Sequence, residues 1–170
     1  MRPILILSLC VAVGLLTGCA GYRLGPTNDA LAGERSIEIL PFNNKTLQPR
    51  LGDAVTQSLR ERFQTDGTFH LKTNGGADVV LTGDITRYFR QGLSYLNVDV
   101  TTTENFRVGV TAHVVARDSS TGKKLMEKDI SGYTLVNVGT DLASSERQSM
   151  GLLADDLARN VTMALTEGGW

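Results

Sequence analysis

The sequence is poor in the residues that build most reactive centres. Its 170 residues include only 2 cysteines and 2 histidines. So small a stock leaves little room for a disulfide framework or a metal site. Neither sign of charge is in excess: 17 basic residues face 18 acidic ones, for a net charge of −1. That balance argues against a general nucleic-acid-binding surface. Also missing is an apolar run of the ~18 residues that a membrane-spanning helix needs. What remains is the composition of a folded chain, 41% hydrophobic and 21% charged. The length suits one domain with a tail.

The amino terminus carries the sharpest signal. Arg2 gives one positive charge. Ile4 to Leu16 is apolar, interrupted only by Ser8 and Gly14, and Thr17-Gly18-Cys19 follows. A charged start, a short apolar core and small residues before a cut site describe an export signal over residues 1–18. Cys19, directly after Thr-Gly, resembles the lipobox cysteine of bacterial lipoproteins, whose thiol carries diacylglycerol and opens the mature chain. An ordinary secretory signal with a chance cysteine is the other reading. Cys10 leaves with the signal, so the mature chain has no intramolecular disulfide. Two or three acyl chains, palmitate among them, hold a protein on a membrane where one does so only marginally. Ala20, in place of the Asp that retains enteric-type lipoproteins at the inner membrane, implies by the same resemblance an outer-membrane location.

Residues 19–35, with Gly21, the run Gly25-Pro26-Thr27-Asn28 and Gly33 and no periodicity, read as a lipidated tether. A single domain follows over 36–167. Ser36 to Phe42 is a strand by its β-branched residues, which Pro41 limits to an edge or strand end. Asn43 to Thr46 reads as loop. Leu51, Val55, Leu59 and Phe63 recur every four residues, so Pro49 to Asp66 forms an amphipathic helix that Gly67 ends. Gly52 weakens its first turns by about 1 kcal/mol relative to Ala. Thr68 to Thr73 is a short strand and Asn74-Gly75-Gly76 a turn. Ala77 to Phe89 is a longer strand with Val79, Leu81, Gly83 and Ile85 on one face. Residues 91–103 stay ambiguous between strand and mobile hairpin end. Asn105 to Asp118 alternates most clearly, and Lys123 to Val136 returns after the Ser119–Gly122 turn. Ser145 to Thr166 is the second helix. Its Ser145 and Gln148 have capping-box spacing, its stripe is Met150, Leu153, Leu157, Val161 and Leu165, and Asp155 and Arg159 form an i,i+4 pair. Gly168 to Trp170 is a loose end. These pieces imply an α+β fold. Two amphipathic helices pack on one face of a mostly antiparallel sheet of four to five strands.

Catalytic constellations are nearly absent, and neither enzyme activity nor a cofactor or metal is expected. His70 and His113 fall on the polar sides of their strands, and no motif supplies a third ligand. Ser144-Ser145 lacks the strained Gly-x-Ser-x-Gly turn of a hydrolase nucleophile. Asn74-Gly75-Gly76 lacks the Lys-Ser/Thr of a phosphate loop. Basic residues pose a sharper question. Arg107, Arg117, Lys123, Lys124 and Lys128 lie on one hairpin, with Arg87 and Arg90 near the end of the preceding strand. Arg107 and Arg117 share a side because their separation is even. Together these residues are a candidate site for phosphate groups. Glu104, Asp118, Glu127 and Asp129 lie among them, so an ordinary soluble face is the alternative.

The order of these features resembles one family over nearly the whole mature chain. Cys19 is followed by Gly21-Tyr22. The strand Ile37-Glu38-Ile39-Leu40-Pro41-Phe42 precedes Asn43, Asn44 and Thr46, and an amphipathic helix starts at Pro49. Ala77 to Ile85, Val108 to Ala116, Thr121-Gly122-Lys123, Gly132-Tyr133 and a C-terminal helix complete the series. From Cys19 to about Leu165 this resembles the lipopolysaccharide-assembly lipoprotein LptE family. The resemblance implies an outer-membrane lipoprotein, its body facing the periplasm or held inside the LptD β-barrel, which it plugs and supports while lipopolysaccharide reaches the outer leaflet. It also implies lipopolysaccharide as a ligand, for which Arg107, Arg117, Lys123, Lys124 and Lys128 are the candidates. An envelope lipoprotein serving as a structural component of another secretion complex is the rival, and a lipid-anchored hydrolase using Ser144, His70 and His113 a third reading. Mass spectrometry of membrane-extracted protein should find a chain beginning at acylated Cys19, and Cys19→Ser should release the protein from the membrane fraction.

Overall fold

The computed structural model describes residues 34–96, 99–137 and 142–167. The export signal, Cys19, the tether up to residue 33 and the Gly168–Trp170 end lie outside these. In chain order the elements are β1 (Arg35–Ile39), β2 (Asn43–Asn44), α1 (Leu51–Asp66), β3 (Phe69–Lys72), β4 (Val79–Leu96), β5 (Asp99–Asp118), β6 (Lys124–Asn137) and α2 (Leu142–Glu167). They form one six-stranded sheet in the order β3-β1-β4-β5-β6, with β2 also on β4.

The sheet is mixed, where the sequence predicted a mostly antiparallel one of four to five strands. β1 runs parallel to both β3 and β4, and β2 parallel to β4. The cause is the order of elements. A helix between two strands returns the chain to the end it left, so β1-α1-β3 is a parallel unit. Residues 73–78 then carry the chain past β1, and β4 joins the other side of β1 in the same direction. Only β4-β5-β6 is an antiparallel meander. The extra strand is β2, two residues read as loop, which pair with Asp84 and Ile85. The described part of the ambiguous stretch is strand as well: β4 runs to Leu96 and β5 starts at Asp99.

Both apolar stripes are buried. Leu51, Val55, Leu59 and Phe63 of α1 are fully buried, as are Leu157, Val161 and Leu165 of α2. Each such side chain contributes about 1.5–3 kcal/mol. Against them pack Ile37, Val79, Leu81, Ile85, Val110, Ala112 and Val114 from the sheet. α2 begins a turn earlier than expected, so Ser145 lies inside the helix and not at its cap. Arg159 pairs with Asp156 instead of Asp155. Asp156 faces β6, where it accepts the Tyr133 N–H at 3.0 Å, so its carboxylate stands where Arg159 can share it.

Two close approaches fix how the helices sit. At Gly132 a Cβ would lie 2.5 Å from the Leu157 backbone nitrogen, so only glycine lets α2 lie this near β6. At Gly83 a Cβ would lie 2.2 Å from the Phe42 ring, which covers it inside the core. Phe42 is held in turn by α1. Its N–H donates to Thr56 Oγ1 at 2.9 Å, and its carbonyl passes 2.7 Å from where a Cβ on Gly52 would stand. Gly52, a weak helix former, is therefore required at this crossing. Gly132→Ala should cost about 1–3 kcal/mol or more, because the obstructing atoms are backbone. That predicts a melting temperature lower by about 2–4 °C per kcal/mol in thermal unfolding.

Candidate partner-binding face

Both helices cover the same side of the sheet, so among the described residues the other side of the β4-β5-β6 meander is open. A β-bulge decides what it displays. Through Ile85, odd-numbered β4 residues point to the helices. Register shifts between Ile85 and Arg87, leaving Thr86 unpaired. One extra residue swaps the faces of everything after it. Tyr88 therefore packs against the core, and Arg87 and Phe89 turn to the open face.

There they join residues from β5 and β6. Phe89, Gly109 and Tyr133 stand in one row across three strands. The Phe89 ring lies on Gly109, where a Cβ would be 2.2 Å away. The Arg87 guanidinium sits 4.9 Å from the Phe89 ring centre and that of Arg107 5.5 Å from the Tyr133 ring centre. Such stacking orients the guanidinium while leaving its N–H groups at the edge available. Among the described residues, neither Arg87 nor Arg107 has an ion-pair partner. Tyr133 and Leu135 are 57% and 65% exposed beside them, an apolar surface with cations at its margin.

Lower on the same face the charges are balanced. Asp84, His113 and Asp129 form the next charged row, with Lys45 2.9 Å from Asp84 and Lys124 paired to Glu127. Hydrogen bonds from Lys45 and Asn43 hold Asp84 below the usual carboxylate range. At the foot of the meander, Asp118 accepts from Ser120 and Thr121, both N–H and hydroxyl, at 2.7–3.1 Å. Its other oxygen meets Arg35 at 3.3 Å. The Ser120 hydroxyl first, then the Thr121 N–H and hydroxyl, pull the Asp118 carboxyl down to about 2.

The five basic residues singled out in the sequence do not gather at one place. Arg107 and Arg117 do share the open face, but ten residues of strand, about 33 Å, separate them. Lys123 is in the turn beyond β5, and Lys124 is paired to Glu127. Lys128 stands opposite Val114, a core residue, and so belongs to the helix side of β6. Arg90, opposite Val108, is likewise on the helix side, whereas Arg87 joins Arg107. In the sequence Phe89 shows only as a strand end and Tyr133 only as part of the family pattern, neither as an aromatic partner of an arginine. Simple alternation from Ile85 puts Phe89 in the core, and only the bulge corrects it. His70 and His113 are on strands separated by β1 and β4. Ser144 bonds Arg147 on its own helix. Those three do not converge. Among the described residues, no group of three or more His, Cys, Asp or Glu is placed to hold a metal ion. No described helix is long and apolar enough to cross a membrane.

A two-helix α+β domain with one sheet face left open for contact is the class this architecture defines. The chain belongs to the lipopolysaccharide-assembly family LptE, which matches residues 35–165. Solved structures share the fold. A hypothetical protein of Chlamydia trachomatis is 12% identical, with 79% of this chain and 97% of that one covered and a TM-score of 0.58. A Xanthomonas campestris protein is 13% identical, covering 86% and 93%, at a TM-score of 0.55. PelC from Paraburkholderia phytofirmans, a dodecamer, is 17% identical, covering 81% and 92%, at 0.50. No curated protein sequence matches the chain. Family membership makes this a protein of the lipopolysaccharide-assembly type.

The Asp118 turn has a defined acid limit. A depressed carboxylate contributes stability above its ordinary value and loses that contribution as pH falls through the folded value. Carboxyl NMR titration should find Asp118 ionised until about pH 2, and Asp118→Ala should loosen the β5–β6 turn at neutral pH, seen as faster amide exchange at Thr121 and Gly122.

Proposed function

We propose that the protein is an outer-membrane lipoprotein, anchored through Cys19, that plugs and supports the LptD β-barrel while lipopolysaccharide is placed in the outer leaflet. The observation that carries this reading is the family match, whose span of residues 35–165 coincides with the folded body. The export signal and lipobox support the anchor. The architecture supports a scaffolding role: a compact helix-covered core and a largely polar exterior suited to the polar lumen of a barrel.

The open face is the contact surface in this reading. Arg87 and Arg107, held on aromatic rings and free of carboxylates, are its phosphate-binding groups. Arg117 and Lys123 lie far down the same meander as a second, weaker basic region, whereas Lys124 is taken up by Glu127. Lys128 serves from the opposite side or not at all.

Mild-detergent extraction of the acylated protein, followed by identification of what comes with it, tests the central statement. Recovery of a large β-barrel is expected. Recovery of a different secretion complex instead would transfer the protein to the rival class of structural envelope lipoproteins. Arg87→Glu with Arg107→Glu should weaken lipopolysaccharide binding by roughly tenfold or more, the scale of losing charge-assisted hydrogen bonds. Lys123→Glu, Lys124→Glu and Lys128→Glu together should do less, in the same equilibrium binding assay.

A further inference from the structure

One row of side chains on the open face crosses three strands in direct register: Asp84 on β4, His113 on β5 and Asp129 on β6. The His113 Nδ1 lies 2.7 Å from Asp129 Oδ1, and its Nε2 lies 3.5 Å from Glu127 Oε1. Both ring nitrogens thus face carboxylates. A neutral imidazole has one N–H and leaves the other carboxylate opposite a lone pair. An imidazolium donates at both positions.

The surroundings close the row electrically. Lys45 and Asn43 hold Asp84 at one end, at 2.9 and 3.2 Å. Lys124 holds Glu127 at the other. The same-face neighbours of His113 along β5 are Thr111 and Val115. On β4 they are Thr82, Asp84 and, past the bulge, Arg87 opposite Thr111, and on β6 Glu127, Asp129 and Ser131. The helices lie on the far side of the sheet. With His113 protonated, the contacts within the row pair Lys45 with Asp84, His113 with Asp129 and Lys124 with Glu127, while Arg87 above them rests on the Phe89 ring. Without that proton Asp129 loses the cation that faces it at 2.7 Å.

We propose that this row is a proton-operated clamp on the β4-β5-β6 meander, closed while His113 is an imidazolium and released when it becomes neutral. Its position gives it leverage. It lies immediately below the Thr86 bulge, and the bulge sets which residues of the arm above it reach the open face. The clamp is a property of the folded chain and stands apart from the lipopolysaccharide reading.

Charge supports the direction. The Asp129 hydrogen bond, then the charges of Asp129 and the contact with Glu127, raise the His113 pKa above its ordinary 6.5. Lys124, and secondarily His113, lower that of Glu127. A raised histidine contributes fully below its unfolded value and loses that contribution as pH rises through its folded value. The lowered carboxylates do the reverse, present above their ordinary range and lost in acid. The clamp therefore holds in a window bounded by acid on one side and by deprotonation of His113 on the other.

The test is a side-chain NMR titration of His113 in the full-length protein, with amide exchange of β6 followed from pH 6 to 9 and corrected for the intrinsic pH dependence. His113 is expected to titrate above 6.5. Exchange at Lys128 and Ile130 is expected to rise about two- to fivefold across that midpoint, the scale of an exposed ion pair. His113→Gln should remove the step, and Asp129→Asn should lower the midpoint while the fold is kept. A His113 midpoint at or below the ordinary value, a step that persists in His113→Gln, or a midpoint unmoved by Asp129→Asn would each overturn the clamp.

Discussion

The contact on which the architecture turns is the seating of α2 against β6 at Gly132. With no Cβ there, the Leu157 backbone comes down onto the strand. Its neighbours on the helix then reach the strand's edge. Asp156 accepts the Tyr133 N–H and Asn160 donates to the Ser131 carbonyl at 2.9 Å. An edge strand otherwise presents unpaired backbone groups to any passing chain. Here the helix that buries the core also occupies the middle of that edge. The same act commits both helices to one side of the sheet and leaves the other side bare. The open face is thus a consequence of where the core is built.

How far the sequence discloses this depends on the distance over which each signal acts. The two helices are legible because their stripes repeat within the element: Leu51, Val55, Leu59 and Phe63 need only each other to show a face. β5 is legible for the same reason at period two. Parallel pairing of β1 is not, because its partners, 34 and 42 positions on, are found only by following α1 and the 73–78 connection. The Thr86 bulge is a single-residue event with no signature in composition. It nevertheless moves Phe89 from an expected core place to the candidate site. Gly52 illustrates the converse. Propensity marks it as a defect in α1, while the approach of Phe42 makes it a requirement.

A net charge of −1 conceals how unevenly charge is laid out. On the lower half of the open face three basic groups have a carboxylate within reach: Lys45 with Asp84, Lys124 with Glu127, His113 with Asp129. On the upper half, Arg87 and Arg107 rest on aromatic rings instead. Exposed pairs of the first kind contribute little to stability individually, but they fix the local charge near zero. The stacked arginines have had no such neutralisation, and their planar forks keep their orientation at small entropic cost. Counting basic residues along the hairpin treats Lys124 and Arg107 alike. Their partners separate them into a structural cation and a cation available to a ligand.

The shape of the meander connects these two halves. Beyond Ile85, β4 has no strand neighbour except β5, and β6 accompanies β5 only as far as Asn105. Above the bulge, then, the sheet narrows into an arm whose backbone is supported from one side alone on β4. Its position relative to the core is set below, where β1 and β2 pair with β4 and the charged row crosses β4, β5 and β6. A ligand gripped by Arg87 and Arg107 would bind at the root of this arm, across all three strands, and would tie them where the core no longer does. In a member of a lipopolysaccharide-assembly family, this arrangement favours a rigid body that presents a shaped, cationic, partly apolar surface to a partner.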